Sequence, residues 1–377
     1  MATSCRGTGS SSESARGLLY DAVRVVLADP AAFTPQYDHE LARALAQAGA
    51  SVDLVTSPFR FGDVPEPAGY VRREVFYPLS SRLFRRSRLR LPLKVIEHPF
   101  GMARLAAVHR DVLHVQWLAA PQLDALVFRR NGPSVFTAHD LLPRRTAHRE
   151  DLWRRLLGRF DRVVVHSERG LERLVALGVA PGRLRVVPHP AFRSEPARTD
   201  DGRTVLCLGA IRPYKGIGDA IRAVMRVDGA RLLVAGDPAE PIDGYRTAAG
   251  DRAEWRLGYL SEQDLDRALG DATVAAFPYR AELDQSGALM RVLGAGVPAV
   301  VYDVGGLAEP VRRFGAGLVV PPGDVDALAT AIDGLLADAD ALAQAREGAA
   351  RARDELTWDE AAAAHLALYE EVLGTGR

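Results

Sequence analysis

From residue 23 onward, short β-branched runs alternate with longer stretches of helical periodicity. The first set of runs is VRVVLA (23–28), SVDLVT (51–56), VLHVQW (112–117), SVFTAH (134–139), RVVVHS (162–167) and RLRVVP (183–188). Helical patterns separate several of them, such as YDHELARALAQAG (37–49) and ERGLERLVALG (168–178). A second set follows: TVLCLG (204–209), RLLVAG (231–236), EWRLGY (254–259), TVAAFP (273–278), PAVVYD (298–303) and GLVVPP (317–322). Strands that alternate with helices predict parallel α/β sheets, and two successive sets predict two doubly wound domains. The polar, Pro-containing stretch FRSEPARTDDGR (192–203) has no apolar periodicity and marks the boundary. The expected units are a disordered tail over 1–22, a first domain over 23–195 and a second over 196–355.

Composition narrows this picture without changing it. The chain has 377 residues, is 47% hydrophobic and carries no formal net charge. Nothing global therefore points to nucleic acid, but the charge is split. Up to Glu195 there are 29 Lys+Arg against 19 Asp+Glu, a net +10, and the remainder balances it. Two cysteines make no disulfide framework. The first residues, MATSCRGTGSSSESARG, have no apolar core of a signal peptide, and no run is long enough to span a membrane. A cytoplasmic protein is expected. The stretch RLFRRSRLRLPLK, from Arg82 to Lys94, interleaves cations with apolar residues. It reads either as weak peripheral contact with anionic lipid or as a solvated arginine-rich face, and the sequence favours the second.

In open parallel sheets ligands bind beyond the carboxyl ends of the strands. After TVLCLG come Arg212 and Lys215, close to a helix start. The chain has only two lysines, Lys94 and Lys215, among 48 basic residues. A compact ammonium and a planar guanidinium beside free backbone N–H groups suit a phosphate. After the strand ending at Pro278, Gln285-Ser286-Gly287 opens an apolar helix, where small residues let a phosphate or ribose approach. Glu309, three residues past a Gly pair, is either an ordinary first-turn carboxylate or a ribose ligand. No strand is followed by G-x-G-x-x-G, so a nicotinamide dinucleotide is not expected. No His/Cys cluster has metal spacing. The Asp-x-Asp of GDVDAL (323–328) reads as a helix N-cap.

At these constellations the chain resembles family 4 of the glycosyltransferases, retaining enzymes of the GT-B architecture. That architecture sets two Rossmann-like doubly wound parallel-sheet domains across a cleft. The motifs that carry the resemblance are TAHDLLP (137–143), VVHSERGLERL, VVPHPAF, LGAIRPYKG, LLVAGD and PYRAELDQSGALMRVLGAGVPAVVYDVGGLAE, in that order. The resemblance implies a nucleotide diphosphate sugar as co-substrate, no cofactor and no metal. The acceptor hydroxyl would belong to a small molecule, glycan or lipid-linked compound. It implies that Arg212 and Lys215 hold the diphosphate and that His139 touches the donor sugar. Gln285, Ser286 and Gly287 would lie along phosphates and sugar, with Gly209, Asp284 and Glu309 in the donor-side set. Retention without a protein nucleophile implies departure and attack on one face, the leaving phosphate taking the acceptor proton. The helix TWDEAAAAHLALYEEVLG, within 356–377, would cross back to the first domain. Many members carry Glu-x7-Glu where this chain has Leu283 and Arg291, so it resembles the Gln-Ser-Gly branch. The glycine-rich loop after the first strand is replaced by AAFTPQY (31–37), where Thr34 and Gln36 join Asp140 as acceptor-side candidates. Two alternatives share the architecture: a sugar-nucleotide epimerase, and an inactive nucleotide-sugar-binding protein.

Overall fold

The computed structural model describes residues 22–83, 87, 89–129, 131–143, 146–280 and 283–374. The tail expected over 1–22 lies outside the described residues as far as residue 21, as do residues 84–86 and 88 of the arginine-rich stretch. The chain forms two parallel sheets with helices on both faces.

The first sheet holds β1 (Arg24–Asp29), β2 (Ser51–Thr56), β3 (Val71–Glu74), β4 (Val112–Val115), β5 (Ser134–Thr137), β6 (Arg162–Val165) and β7 (Leu184–Val186). Their spatial order is β3-β2-β1-β4-β5-β6-β7. The second sheet holds β8 (Thr204–Leu208), β9 (Arg231–Gly236), β10 (Ala253–Leu257), β11 (Val274–Phe277), β12 (Ala299–Tyr302) and β13 (Gly317–Val320), in the order β10-β9-β8-β11-β12-β13. Helical cover on both faces explains why the central strands read as unbroken apolar runs: β4, β5, β11 and β12 are buried at every position. The strand that the hydrophobic pattern misses is β3. It is an edge strand with the sequence VRRE, and Arg73 pairs with Asp53 of β2 at 2.8 Å. Edge strands carry charge where central strands cannot.

In each sheet the strand order reverses once, between β1 and β4 and between β8 and β11. Crevices open beyond the carboxyl ends at such reversals. The residues that follow β1, β4, β5, β8 and β11 therefore converge, and they include most of the candidates read from the sequence.

The last helix, Trp358–Gly374, leaves the second unit and packs on helix Pro35–Gln47 of the first. Tyr369 and His114 of β4 bond through the Tyr369 hydroxyl and Nδ1 at 2.7 Å. Glu371 accepts from Arg162 and Arg185, at 2.6 Å each. Asp324 caps helix Val325–Ala337 by accepting the Ala327 N–H at 2.8 Å, the N-cap reading of GDVDAL.

Candidate active site

The first sheet supplies a floor of uncharged rings. Gln116 and Trp117 follow β4, His139 follows β5, His166 and Ser167 follow β6, and His189 follows β7. Tyr37, from helix Pro35–Gln47, is their hub. Its ring centroid lies 4.6 Å from His139, 5.0 Å from His189 and 5.1 Å from Trp358 of the last helix. Trp117 stacks on His139 at 5.4 Å. Burial holds these imidazoles neutral: His139 falls well below the ordinary histidine range, His166 to about 3 and His189 to about 4.

Neutrality fixes the tautomers. His166 donates from Nδ1 to the Val187 carbonyl at 2.9 Å, so its Nε2 accepts. His139 Nδ1–H then donates to that Nε2 across 3.3 Å. His139 Nε2 is left as a lone pair 2.8 Å from the Gln116 amide. The amide is accordingly assigned with its N–H toward His139, which also gives a partner to a nitrogen otherwise buried without one.

The loop after β1 is built on a carboxylate. Asp29 accepts the N–H groups of Ala31, Phe33 and Thr34 at 3.2, 2.6 and 3.1 Å. Burial raises the pKa of Asp29, and burial together with the neighbouring Asp29 carboxylate raises that of Asp38 well above the ordinary carboxylate range. This loop offers Thr34, which accepts from Trp117 Nε1 at 2.8 Å. It also offers Gln36, which donates to the Asp63 carbonyl at 3.2 Å and lies 3.4 Å from the Tyr259 hydroxyl of the second unit. Asp140, half-buried, follows His139.

The second sheet supplies the cationic wall. Lys215 ends a 3-10 turn, Pro213–Lys215, and its ammonium lies 5.1 Å from the Tyr279 ring centroid. A Cβ on Gly209 would stand 2.7 Å from Lys215 Nζ, and Gly209 has φ +102°. Glycine there serves both the turn and the close approach of the ammonium. Arg212 caps the same turn with an exposed side chain. Ser286 caps helix Gly287–Gly294 by accepting the Leu289 N–H at 3.4 Å, and Tyr279 OH lies 3.2 Å from its Oγ. Ala288 lies against Gly209, so the helix start and the lysine share one spot. Gln285 donates to the Gly306 carbonyl at 3.3 Å and accepts the Ser286 N–H at 2.8 Å.

Two candidates turn toward the first sheet. Asp284, fully buried, accepts the His166 N–H and the Ser167 hydroxyl. Glu309 accepts the Glu168 and Arg169 N–H groups at 3.0 Å each, at the start of helix Glu168–Ala176. Arg169 completes the clasp with Asp303 at 2.8 Å. Carboxylates favour a helix N-terminus, so the two units are joined by charge placed on a dipole. Glycines make room for it. A Cβ on Gly170 would strike Asp284 Oδ1, and one on Gly306 would strike the Asp284 carbonyl and Ser167. Gly306→Ala should therefore lower stability by about 1–3 kcal/mol, read as a drop in thermal midpoint; an unchanged midpoint would show that the clasp yields freely.

A separate groove of 760 Å³ lies along helices Pro121–Val127 and Glu150–Leu157 and is lined by none of these residues.

Comparison with known proteins places this geometry. Residues 36–191 match the family model Glycosyltransferase Family 4, and residues 202–338 match Glycosyl transferases group 1. The D-inositol 3-phosphate glycosyltransferase of Mycobacterium marinum is 30% identical, over 88% of this chain and 79% of its own length. This chain belongs to the family 4 glycosyltransferases. The D-inositol 3-phosphate glycosyltransferase of Mycobacterium ulcerans is also 30% identical, over 88% of this chain and 80% of its own. Among solved structures, sucrose-phosphate synthase from Thermosynechococcus elongatus shares the fold, with a TM-score of 0.73 at 23% identity, covering 94% of this chain and 100% of that one. HepE of Anabaena, solved with UDP and glucose, has a TM-score of 0.65 at 16% identity, covering 93% and 100%. Both are GT-B structures, and this chain has that architecture.

In this family 4 glycosyltransferase Arg291 is held on two sides. Its guanidinium pairs with both oxygens of Glu262 at 3.0 and 3.1 Å and covers the Phe192 ring at 4.5 Å. Where the resemblance aligns a glutamate, this glycosyltransferase has a cation that brings its own carboxylate from the neighbouring helix Glu262–Asp271. The strand-end rule marks Gln116, Trp117 and Tyr279 as positions to examine without assigning them a role, and it leaves out Tyr37. Gln116 and Trp117 sit just beyond a strand end, which is a usable signal. Tyr279, two residues past the end of β11, has the same signal, whereas Tyr37, inside helix Pro35–Gln47, has none.

Proposed function

We propose that this glycosyltransferase moves a sugar from a nucleotide diphosphate sugar to an acceptor hydroxyl, with retention of configuration and without a metal ion. One observation carries the reading. The Lys215 ammonium is held at Gly209, beside the start of helix Gly287–Gly294. When the bond from sugar C1 to the donor phosphate oxygen breaks, negative charge grows on the diphosphate. A fixed ammonium, the Arg212 guanidinium and helix N–H groups stabilise that charge where it forms. The acceptor oxygen bonds to C1 on the face the phosphate leaves, and its proton passes to the leaving phosphate oxygen. His139 and Trp117, backed by the buried Tyr37, give that face an uncharged, aromatic wall suited to a sugar ring. HepE, solved with UDP and with UDP-glucose, supports a donor of this class.

The test begins with thermal shift against a panel of nucleotide sugars, because a bound ligand stabilises the native state in proportion to occupancy. The donor that raises the midpoint is then incubated with candidate acceptors in excess EDTA, and the product anomer is read by NMR. Retained configuration with EDTA present is expected. An inverted anomer, loss of turnover with EDTA, or epimerised nucleotide sugar from donor alone would each overturn the reading.

A further inference from the structure

Helix Arg90–Ala107 has two unlike faces. Its inner face buries Glu97, His98, Gly101, Met102 and Leu105. Its outer face exposes Leu91, Val95, Ile96, Pro99, Phe100 and Ala103, which recur at helical spacing. Leu91 is 71% exposed, Ile96 62% and Phe100 66%. This stripe is about 18 Å long at the helical rise. Isolated exposed leucines need no explanation, but an uninterrupted stripe of large apolar side chains on one helix does.

The charge around the stripe has one sign. Among the described residues of 82–107 the cations are Arg82, Arg90, Lys94 and Arg104, and the single carboxylate is Glu97. That carboxylate is turned inward and accepts the Leu79 and Ser80 N–H groups at 2.7 and 3.1 Å. Arg90, Lys94 and Arg104 lie on the helix itself. A second copy of this chain would set the same cations against each other across the stripe. An anionic bilayer accepts both features at once, the apolar residues among its acyl chains and the cations at its headgroups.

The second turn of the helix lies toward the carboxyl end of β1. Lys94 Nζ lies 4.5 Å from the Tyr77 ring centroid, and its charge interacts with Asp29, at the carboxyl end of β1. We propose that the outer face of helix Arg90–Ala107 docks on an anionic membrane surface and sets the acceptor side of the cleft at the headgroups. The docking stands independently of the transferase reading. Its consequence, an acceptor hydroxyl displayed by a membrane lipid, rests on that reading. Arg90 and Lys94, the helical end of the stretch that the sequence favours as a solvated face, thereby stand at the edge of a docking surface.

The test is co-sedimentation of the full chain with vesicles of equal parts phosphatidylcholine and phosphatidylglycerol, and with phosphatidylcholine alone. Binding to the mixed vesicles, weakened by salt and absent on phosphatidylcholine alone, is expected. Ile96→Asp combined with Phe100→Asp should lower the bound fraction by about tenfold or more and leave the melting curve unchanged, since both side chains are already exposed. The proposal is overturned if the wild type stays in the supernatant, if the double variant sediments equally, or if the variant abolishes a dimer while vesicles capture nothing. Vesicle binding without a nucleotide-sugar thermal shift would reject the transferase reading and leave the docking surface in place.

Discussion

Lys215→Ala should lower turnover by roughly 100- to 1,000-fold, the loss typical when one donor to a developing anion is removed. The magnitude follows from placement. The ammonium is held between Gly209, whose missing side chain it occupies, and the Tyr279 ring. It is preorganised, so little reorganisation accompanies the reaction. Lys215→Arg should also lose most activity, although charge is kept. A planar guanidinium is larger than an ammonium, and the space beside Gly209 is sized for the smaller group. That is a physical reason for a lysine in a chain that otherwise uses arginine. Arg212→Ala should cut turnover severely too, because it removes the second cation proposed for the diphosphate. Steady-state rates at saturating donor decide the matter, and near-normal turnover in both alanine variants would remove the phosphate assignment.

Asp284→Asn should change how stability depends on pH. Burial pushes the Asp284 carboxyl up to about 7, against the donation it receives from Ser167 and His166. An unfolded aspartate titrates near ~3.9. Between those values the folded state holds a proton that the unfolded state has lost, so stability falls as pH rises through the window and levels off above about 7. Asparagine does not titrate. The stability of the variant relative to wild type should therefore grow across that window, by up to about 4 kcal/mol for a shift of this size. His166 and His189 act the other way. Their folded values of about 3 and about 4 lie below the ordinary histidine value, so their contribution is present above about pH 6.5 and lost on acidification. The histidines are common to both proteins, and the difference in thermal midpoint between variant and wild type isolates Asp284. A difference that stays constant with pH would show that this carboxyl is ionised throughout.

What the sequence revealed, and what it hid, follows from range. The pairing of Gly209 with Lys215 is legible because six residues and one turn separate them. The strand ends that carry Gln116, His139 and His166 are legible because central parallel strands are apolar throughout and stop where polar residues begin. By contrast, Asp284 meets His166 across 118 positions, and no local pattern announces that contact. Glu309 was read from the sequence as a first-turn carboxylate or a ribose ligand. It stands in the first turn of helix Ala308–Phe314, yet its oxygens cap a helix of the other unit. Edge strand β3 escaped because charge replaces the apolar signal there. The outer face of helix Arg90–Ala107 has helical periodicity in the sequence, but only the fold tells which stripe faces solvent.

The return of the last helix has a consequence for biosynthesis. Trp358, Ala362, Leu368 and Tyr369 belong to the same core as Leu27, Tyr37, Leu41 and Leu45. A ribosome delivers the first half long before it delivers that wall. The half made first thus waits, with Tyr37 and His114 uncovered, while strands β8 to β13 emerge with a core of their own. Domains usually mature in the order of translation. Here the floor of the site is finished by a helix that follows every strand of the second sheet.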